Sequence, residues 1–143
     1  MVPTPVNSSS CIVTVMVEAA YADFAGKVQR TKQELLSVLI KAKAEGKRIC
    51  GYGAPGKGNT LLNYAGIGTD FLDFTVDRNP YKQGKFLPGT HIPIYAPERL
   101  DEAKPDYILI LPWNFKDEIM KQLAPAREWG ARFIIPIPEA TIV

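Results

Sequence analysis

The sequence predicts an α/β domain: a doubly wound, mostly parallel sheet flanked by helices. Three observations predict it. From Phe24 onward, β-like runs alternate with helix-like segments, the rhythm of βαβ units. A glycine-rich decapeptide, Gly51-Tyr52-Gly53-Ala54-Pro55-Gly56-Lys57-Gly58-Asn59-Thr60, stands between one such run and a helix. Tyr107-Ile108-Leu109-Ile110-Leu111 is continuously apolar, as suits a central parallel strand buried on both faces.

The elements follow in order. Residues 1–10 are rich in Pro, Ser and Asn and read as a disordered lead or linker, which leaves 11–143 as a single domain. Cys11 to Val17 is β-like. Phe24 to Glu45 reads as an amphipathic helix: Val28, Leu35, Leu36, Leu39 and Ile40 share a face, and Lys27, Arg30, Lys32, Glu34, Lys41 and Lys43 cover the other. Gly46 is the expected stop. A strand at Arg48-Ile49-Cys50 leads into the glycine loop, and a helix is expected from Leu61. Phe71 to Val76 reads as a strand, and Asp77 to Thr90 as a long polar loop. His91 to Tyr95 is β-like, with Pro93 suggesting a sheet edge. Pro97 sits near the start of a brief helix. Asn114 is expected to cap a helix from Phe115 to Leu123. A turn at Glu128 to Ala131 precedes a last strand, Arg132 to Ile137.

Composition narrows the function. The chain has 143 residues, 46% hydrophobic and 22% charged, which suits one ordinary globular core. A net charge of +2 and scattered lysines give no nucleic-acid footprint. Cys11 and Cys50 lie in apolar runs and read as small buried hydrophobes. With His91 as the single histidine, His and Cys cannot build a zinc cluster. No apolar run reaches the roughly 18 residues of a membrane span. Met1-Val2-Pro3-Thr4-Pro5 does not resemble a signal peptide. A cytoplasmic, reduced protein without nucleic-acid or membrane partners is expected.

The glycine loop carries the chemistry. Glycines let a backbone turn sharply and approach a ligand, and a helix starting there aims free N–H groups at an anion. Gly56 is therefore expected to have a positive φ or to stand close to a ligand, with Lys57 adding charge. Gly51, Gly53 and Gly56 spell G-x-G-x-x-G, and Asp77 supplies the acidic residue about 20 positions on that dinucleotide folds use. The same letters approach a P-loop, but Gly58 stands where Ser or Thr would hold magnesium, and Thr60 arrives late. A turn that only lets strand and helix pack closely remains open beside these readings.

Other loops add candidates. Asp77 either accepts hydrogen bonds from ribose hydroxyls or caps the turn that follows, since Asp-x-Asn-Pro is good turn chemistry. Arg78, Lys82 and Lys85 either charge a phosphate site or face solvent. Tyr81 and Lys85 match the Y-x-x-x-K spacing of short-chain reductases, but Gly84, Pro80 and Pro88 argue against the helix that pair requires. His91 lacks a carboxylate motif beside it and is a weak candidate base. Trp113 either stacks on a ligand ring or closes the core.

Four segments taken together suggest a family: the glycine decapeptide, Val76 to Lys85, Pro88-Gly89-Thr90-His91-Ile92-Pro93-Ile94, and Leu111-Pro112-Trp113-Asn114-Phe115. From about Phe24 to Glu139 the chain resembles the Rossmann-like C-terminal domain of S-adenosylmethionine-dependent sugar C-methyltransferases. Members methylate carbon 3 of nucleotide-linked 4-keto-deoxysugars, and also carry a cysteine-rich zinc domain and a central methyltransferase domain. The resemblance implies deoxysugar biosynthesis, and a nucleotide-sugar of the dTDP type as ligand. It places Gly53, Ala54, Pro55, Gly56, Lys57, Gly58, Asn59, Thr60, Asp77, Arg78, Asn79, Lys82, Lys85, Pro112, Trp113 and Asn114 against the nucleotide diphosphate. No catalytic residue, metal or bound cofactor is expected here. S-adenosylmethionine would belong to the complete enzyme, supplied by a methyltransferase domain or partner chain, because this chain has neither the zinc cysteines nor that domain. It is expected to be an excised domain or a free-standing relative, with Cys11 to Val17 at the junction. Two other readings are a small NAD- or CoA-binding regulatory domain and an interaction module with a vestigial loop.

Overall fold

The computed structural model describes the backbone of residues 11–137 and 139–143, with side chains from residue 26 onward; the expected lead at 1–10 lies outside them. The chain divides into two compact units, Met1–Arg30 and Thr31–Val143. Within the first, described residues are helical, and α1 runs Cys11–Ala44. Cys11 to Val17 is therefore helix, not strand. β-branched residues carry only a mild preference, and a strand needs a neighbour to bond, whereas a helix extends its own ladder one residue at a time.

The second unit is the α/β body. The last turns of α1 bury Leu35, Leu39 and Ala42, spaced along one face. Gly46, at φ +77, ends α1, and the Lys47 N–H reaches back to the Ala42 carbonyl at 2.9 Å. The following elements are β1 (Ile49–Tyr52), α2 (Gly56–Ala65), β2 (Thr75–Val76), β3 (Ile94–Tyr95), α3 (Arg99–Ala103), β4 (Tyr107–Ile110), α4 (Lys116–Gln122), β5 (Arg132–Ile135) and β6 (Thr141–Ile142). The strand order is β3-β2-β1-β4-β5-β6, parallel except for β6, which pairs antiparallel with β5. The order reverses between β1 and β4, where a doubly wound sheet opens its crevice.

Alternation along the strands builds two cores. Ile49, Leu109 and Ile134 face one way and pack with Leu35, Leu39, Leu62 and Ala65 of α1 and α2. Cys50, Ile108, Ile110, Phe133 and Ile135 face the other and pack with Leu100 and Ile119 of α3 and α4. Helices thus cover both faces, and the continuous apolar run of β4 is explained by burial on each side. The Rossmann-like class is borne out.

Boundaries moved where local chemistry competed. α2 begins at Gly56, not Leu61: Pro55, with φ preset at −78°, stands before its first turn. β2 keeps only Thr75–Val76, because Phe71 and Leu72 both bond back to the Gly68 carbonyl in a turn. Asn114 caps nothing. It lies in a 3-10 turn, Trp113–Phe115, and α4 starts after it with Asp117 and Glu118 in its first turn, where acids complement the helix dipole. The last strand stops at Ile135, and β6 was not foreseen. β3 is a sheet edge, as Pro93 suggested. Its outer side is taken by the preceding loop, where Gly84 donates to the Ile94 carbonyl and Ile94 to the Lys85 carbonyl, each at 2.8 Å.

Cys50 is free and fully buried at the centre of β1. Burial pushes its thiol up to about 12, with the Asp73 charge adding to the rise. A raised folded-state pKa contributes stability below the ordinary thiol range that is lost as pH climbs toward the folded value. Urea stability should therefore fall between about pH 9 and pH 12, and Cys50→Ala should flatten that part of the profile. An equal slope in wild type and Cys50→Ala would assign the loss to other groups.

Candidate functional site

Strand geometry brings the glycine loop, the start of the 77–90 loop and Pro112 together beyond the carboxyl ends of β1, β2 and β4. Gly53 sits at φ +93, a conformation that L side chains rarely adopt. Its N–H donates to the Val76 carbonyl at 2.6 Å, and its carbonyl accepts the buried Thr75 hydroxyl at 2.6 Å. A Cβ there would meet the Pro112 ring at 2.7 Å. Gly51 and Gly58 are likewise constrained by the protein: a Cβ on the first would stand 2.8 Å from Thr75 Oγ1, and on the second 2.8 Å from Leu111 Cβ. Close packing of strand and helix thus accounts for three of the loop's glycines.

Gly56 is different. It does not have a positive φ, which removes one of its two expected reasons, and a Cβ on it would meet nothing within 4 Å. It opens the first turn of α2 beside Lys57, and both residues are exposed, whereas Gly58 in the same turn is buried. Deeper in α2, Thr60 bonds back to the Gly56 carbonyl and Asn59 accepts from Asn63, so both side chains are occupied by the helix.

Asp77 is a tie between loops. One carboxylate oxygen accepts the Ala54 N–H at 2.9 Å and the other the Asn79 N–H at 2.8 Å. The second bond is the turn cap that Asp-x-Asn-Pro chemistry suggested. Lys82 lies 4.0 Å from the same carboxylate and donates to the Ala54 carbonyl at 3.0 Å. Asn79 repeats the cap, accepting the Tyr81 N–H at 3.0 Å. Ala54 is thus held at both its N–H and its carbonyl, and the glycine loop is fixed before any ligand arrives.

The remaining candidates divide. Pro112 lies half-buried against Gly53, and Trp113 packs against the α3/α4 core, its core-closing role. Asn114 is exposed. Lys85 belongs to the strip along β3 and makes no hydrogen bond or ion pair to the glycine loop among the described residues. His91, exposed at φ +58, turns the chain before β3.

Arg78 lines a cleft of about 560 Å³ with Tyr52, Gln83, Ala96, Pro97, Glu98, Gln122 and Leu123. The Tyr52 hydroxyl donates to Gln122 at 3.3 Å, and Gln83 donates to the Asp77 carbonyl at 2.8 Å. Burial raises the Tyr52 pKa, against a lowering by the Arg78 charge. Sequence reasoning missed Tyr52, Gln83 and Gln122 as a group. Tyr52 was visible as the wide residue inside the glycine motif; nothing local marked Gln122, 70 positions away. Among the described residues, no group of three or more His, Cys, Asp or Glu side chains is placed to hold a metal ion. No described helix is long and apolar enough to cross a membrane.

A mostly parallel sheet with helices on both faces, and a glycine loop with a clamped acidic turn at its switch point, define a Rossmann-like α/β domain. A family model for the C-methyltransferase C-terminal domain matches residues 13–138, and the chain belongs to that family. It is 41% identical over 123 residues to C-methyltransferase NovU of Streptomyces niveus, a match covering 86% of this chain and 29% of that protein. The chain therefore spans less than a third of that relative's length. UDP-D-quinovosamine 4-dehydrogenase from Vibrio fischeri superposes with a TM-score of 0.45 at 22% identity, over 62% of this chain and 75% of that one. The fold assignment rests on the strand order.

Proposed function

We propose that this domain binds a nucleotide-linked sugar of the dTDP type and orients it for C-methylation by an S-adenosylmethionine-binding domain or partner chain, without catalysing alone. The observation that carries the reading is the open first turn of α2, with Gly56 unobstructed and Lys57 exposed, at the switch point of a doubly wound sheet. A diphosphate there accepts backbone N–H bonds at the positive end of the helix. Membership of the C-methyltransferase C-terminal family supports the sugar-nucleotide class. Arg78, Asn79, Lys82, Lys85 and the Pro112–Asn114 turn belong to the rim of the same site in this reading, and the protein works in the cytoplasm.

In the complete enzyme the 4-keto group acidifies the proton on carbon 3. A base outside this domain would take that proton, and S-adenosylmethionine, held by the other domain or partner chain, would supply the methyl group and leave as S-adenosylhomocysteine. This domain contributes orientation and remote binding energy, which lower the barrier by fixing the reacting atoms in place.

Titration of labelled protein with dTDP, NAD and S-adenosylmethionine tests the ligand class. Amide shifts confined to Gly53–Thr60 and Asp77–Lys85 are expected with dTDP. Shifts with NAD at similar concentration and none with dTDP would replace this reading by a dinucleotide one.

A further inference from the structure

We propose that Asp77 and Lys82 are positioning residues: they act on a bound diphosphate through Ala54, whose backbone they hold, and touch neither the phosphate nor the ribose. This role rests on the nucleotide reading above.

The amides of the loop come first. Gly53 gives its N–H to the Val76 carbonyl, and Ala54 gives its N–H to Asp77 Oδ2 at 2.9 Å. Pro55 has no N–H to give. A phosphate bound by this backbone therefore takes amides that begin at Gly56, the start of α2. The path of the chain into that turn is set by Ala54, two residues upstream. Its carbonyl accepts Lys82 Nζ at 3.0 Å, and the same Nζ stands 4.0 Å from Asp77 Oδ2. Two side chains of the loop after β2 thus grip one residue of the loop after β1, across 23 and 28 positions of sequence.

Charge separates this role from a direct one. The Asp77 side chain is only 17% exposed. Each of its oxygens accepts an N–H, one from Ala54 and one from Asn79, and the Lys82 ammonium faces the first. Ribose hydroxyls would have to compete with all three. Lys82 in turn faces Asp77 and the Ala54 carbonyl, which offsets the attraction it would offer a phosphate. A bare carboxylate beside a diphosphate would repel it. The carboxylate here is accounted for by the backbone it holds.

Affinities of the full chain for dTDP and inorganic pyrophosphate, at low and high ionic strength and beside melting curves, test the proposal. Coulomb repulsion alone predicts that removing a carboxylate near an anion tightens binding. Positioning predicts the reverse: Asp77→Ala should weaken dTDP and pyrophosphate alike, by at least about tenfold. Asp77→Asn keeps an oxygen for the Ala54 N–H and should recover to within about threefold of wild type. Lys82→Met should weaken both ligands by about threefold and leave the salt dependence at the wild-type slope. Added to Asp77→Ala it should cost nothing more, because both act on one residue. Asp77→Asn and Lys82→Met keep the test alive if Asp77→Ala fails to fold. Loss of dTDP with pyrophosphate unchanged in Asp77→Ala would make Asp77 a ribose ligand and overturn the proposal. Unchanged or tighter binding in Asp77→Ala, or a flattened salt dependence in Lys82→Met, would also overturn it while the anion site at Gly56 stands. If the wild-type chain binds neither dTDP nor pyrophosphate, the nucleotide reading falls and this role falls with it.

Discussion

Gly53→Ala should be strongly damaging, lowering the stability of this domain by about 3 kcal/mol. Two costs combine. At φ +93 an L side chain is strained. The new Cβ would also press on the Pro112 ring at 2.7 Å, and relief would pull Gly53 away from Thr75 and Val76, its two 2.6 Å hydrogen-bond partners. For a chain of this size the melting temperature should drop by roughly 10 °C. Gly56→Ala is the control. Its Cβ enters open space on a helix, so stability should stay level or rise by about 0.5 kcal/mol. Thermal melts followed by circular dichroism decide the matter. Equal melting temperatures for Gly53→Ala and Gly56→Ala would show that the loop relaxes freely and is not held by Thr75, Val76 and Pro112.

Lys57→Ala should have the opposite signature: little effect on folding and a large effect on binding. Lys57 is exposed on the first turn of α2, where it contributes little packing. A charge-assisted contact to phosphate is worth about 1.5–3 kcal/mol, so dTDP affinity should fall by roughly 10- to 100-fold. Because the contact is partly solvated, wild-type affinity should also weaken with salt, and the variant's should weaken less. Calorimetric titrations at low and high ionic strength, beside a melting curve, read both quantities. Unchanged affinity and unchanged salt dependence would place the anion elsewhere.

What could be read from the chain depended on how local the cause was. The parallel core strand at Tyr107–Leu111, the stop at Gly46 and the edge at Pro93 each carry their reason within a few residues, and each was legible. The same holds for the Asp77 turn cap. Cys11 to Val17 misled because an apolar β-branched run looks alike in a strand and in a helix long enough to carry it. Asn114 misled because a good capping residue matters only if the chain enters the helix at its position, and a 3-10 turn displaced the entry. At the site, the glycines announced a tight loop but not the reason for each one. Only the fold shows that Gly53 and Gly58 answer to Pro112 and Leu111, while Gly56 answers to nothing in the protein. The Tyr52–Gln122 pair had no local trace, since α4 reaches Tyr52 only through packing.

The strip Gly84–Leu87 also covers the outer side of β3. An open edge strand presents a ladder of unused amides that recruits further strands and seeds fibrils. Here the outer amide of Ile94 is spent on Lys85, and Pro93 has no amide to offer a newcomer. Asp77 and Lys82 anchor the start of the same loop at Ala54, so the strip is not readily peeled away. Strand addition directly onto β3 is thereby discouraged.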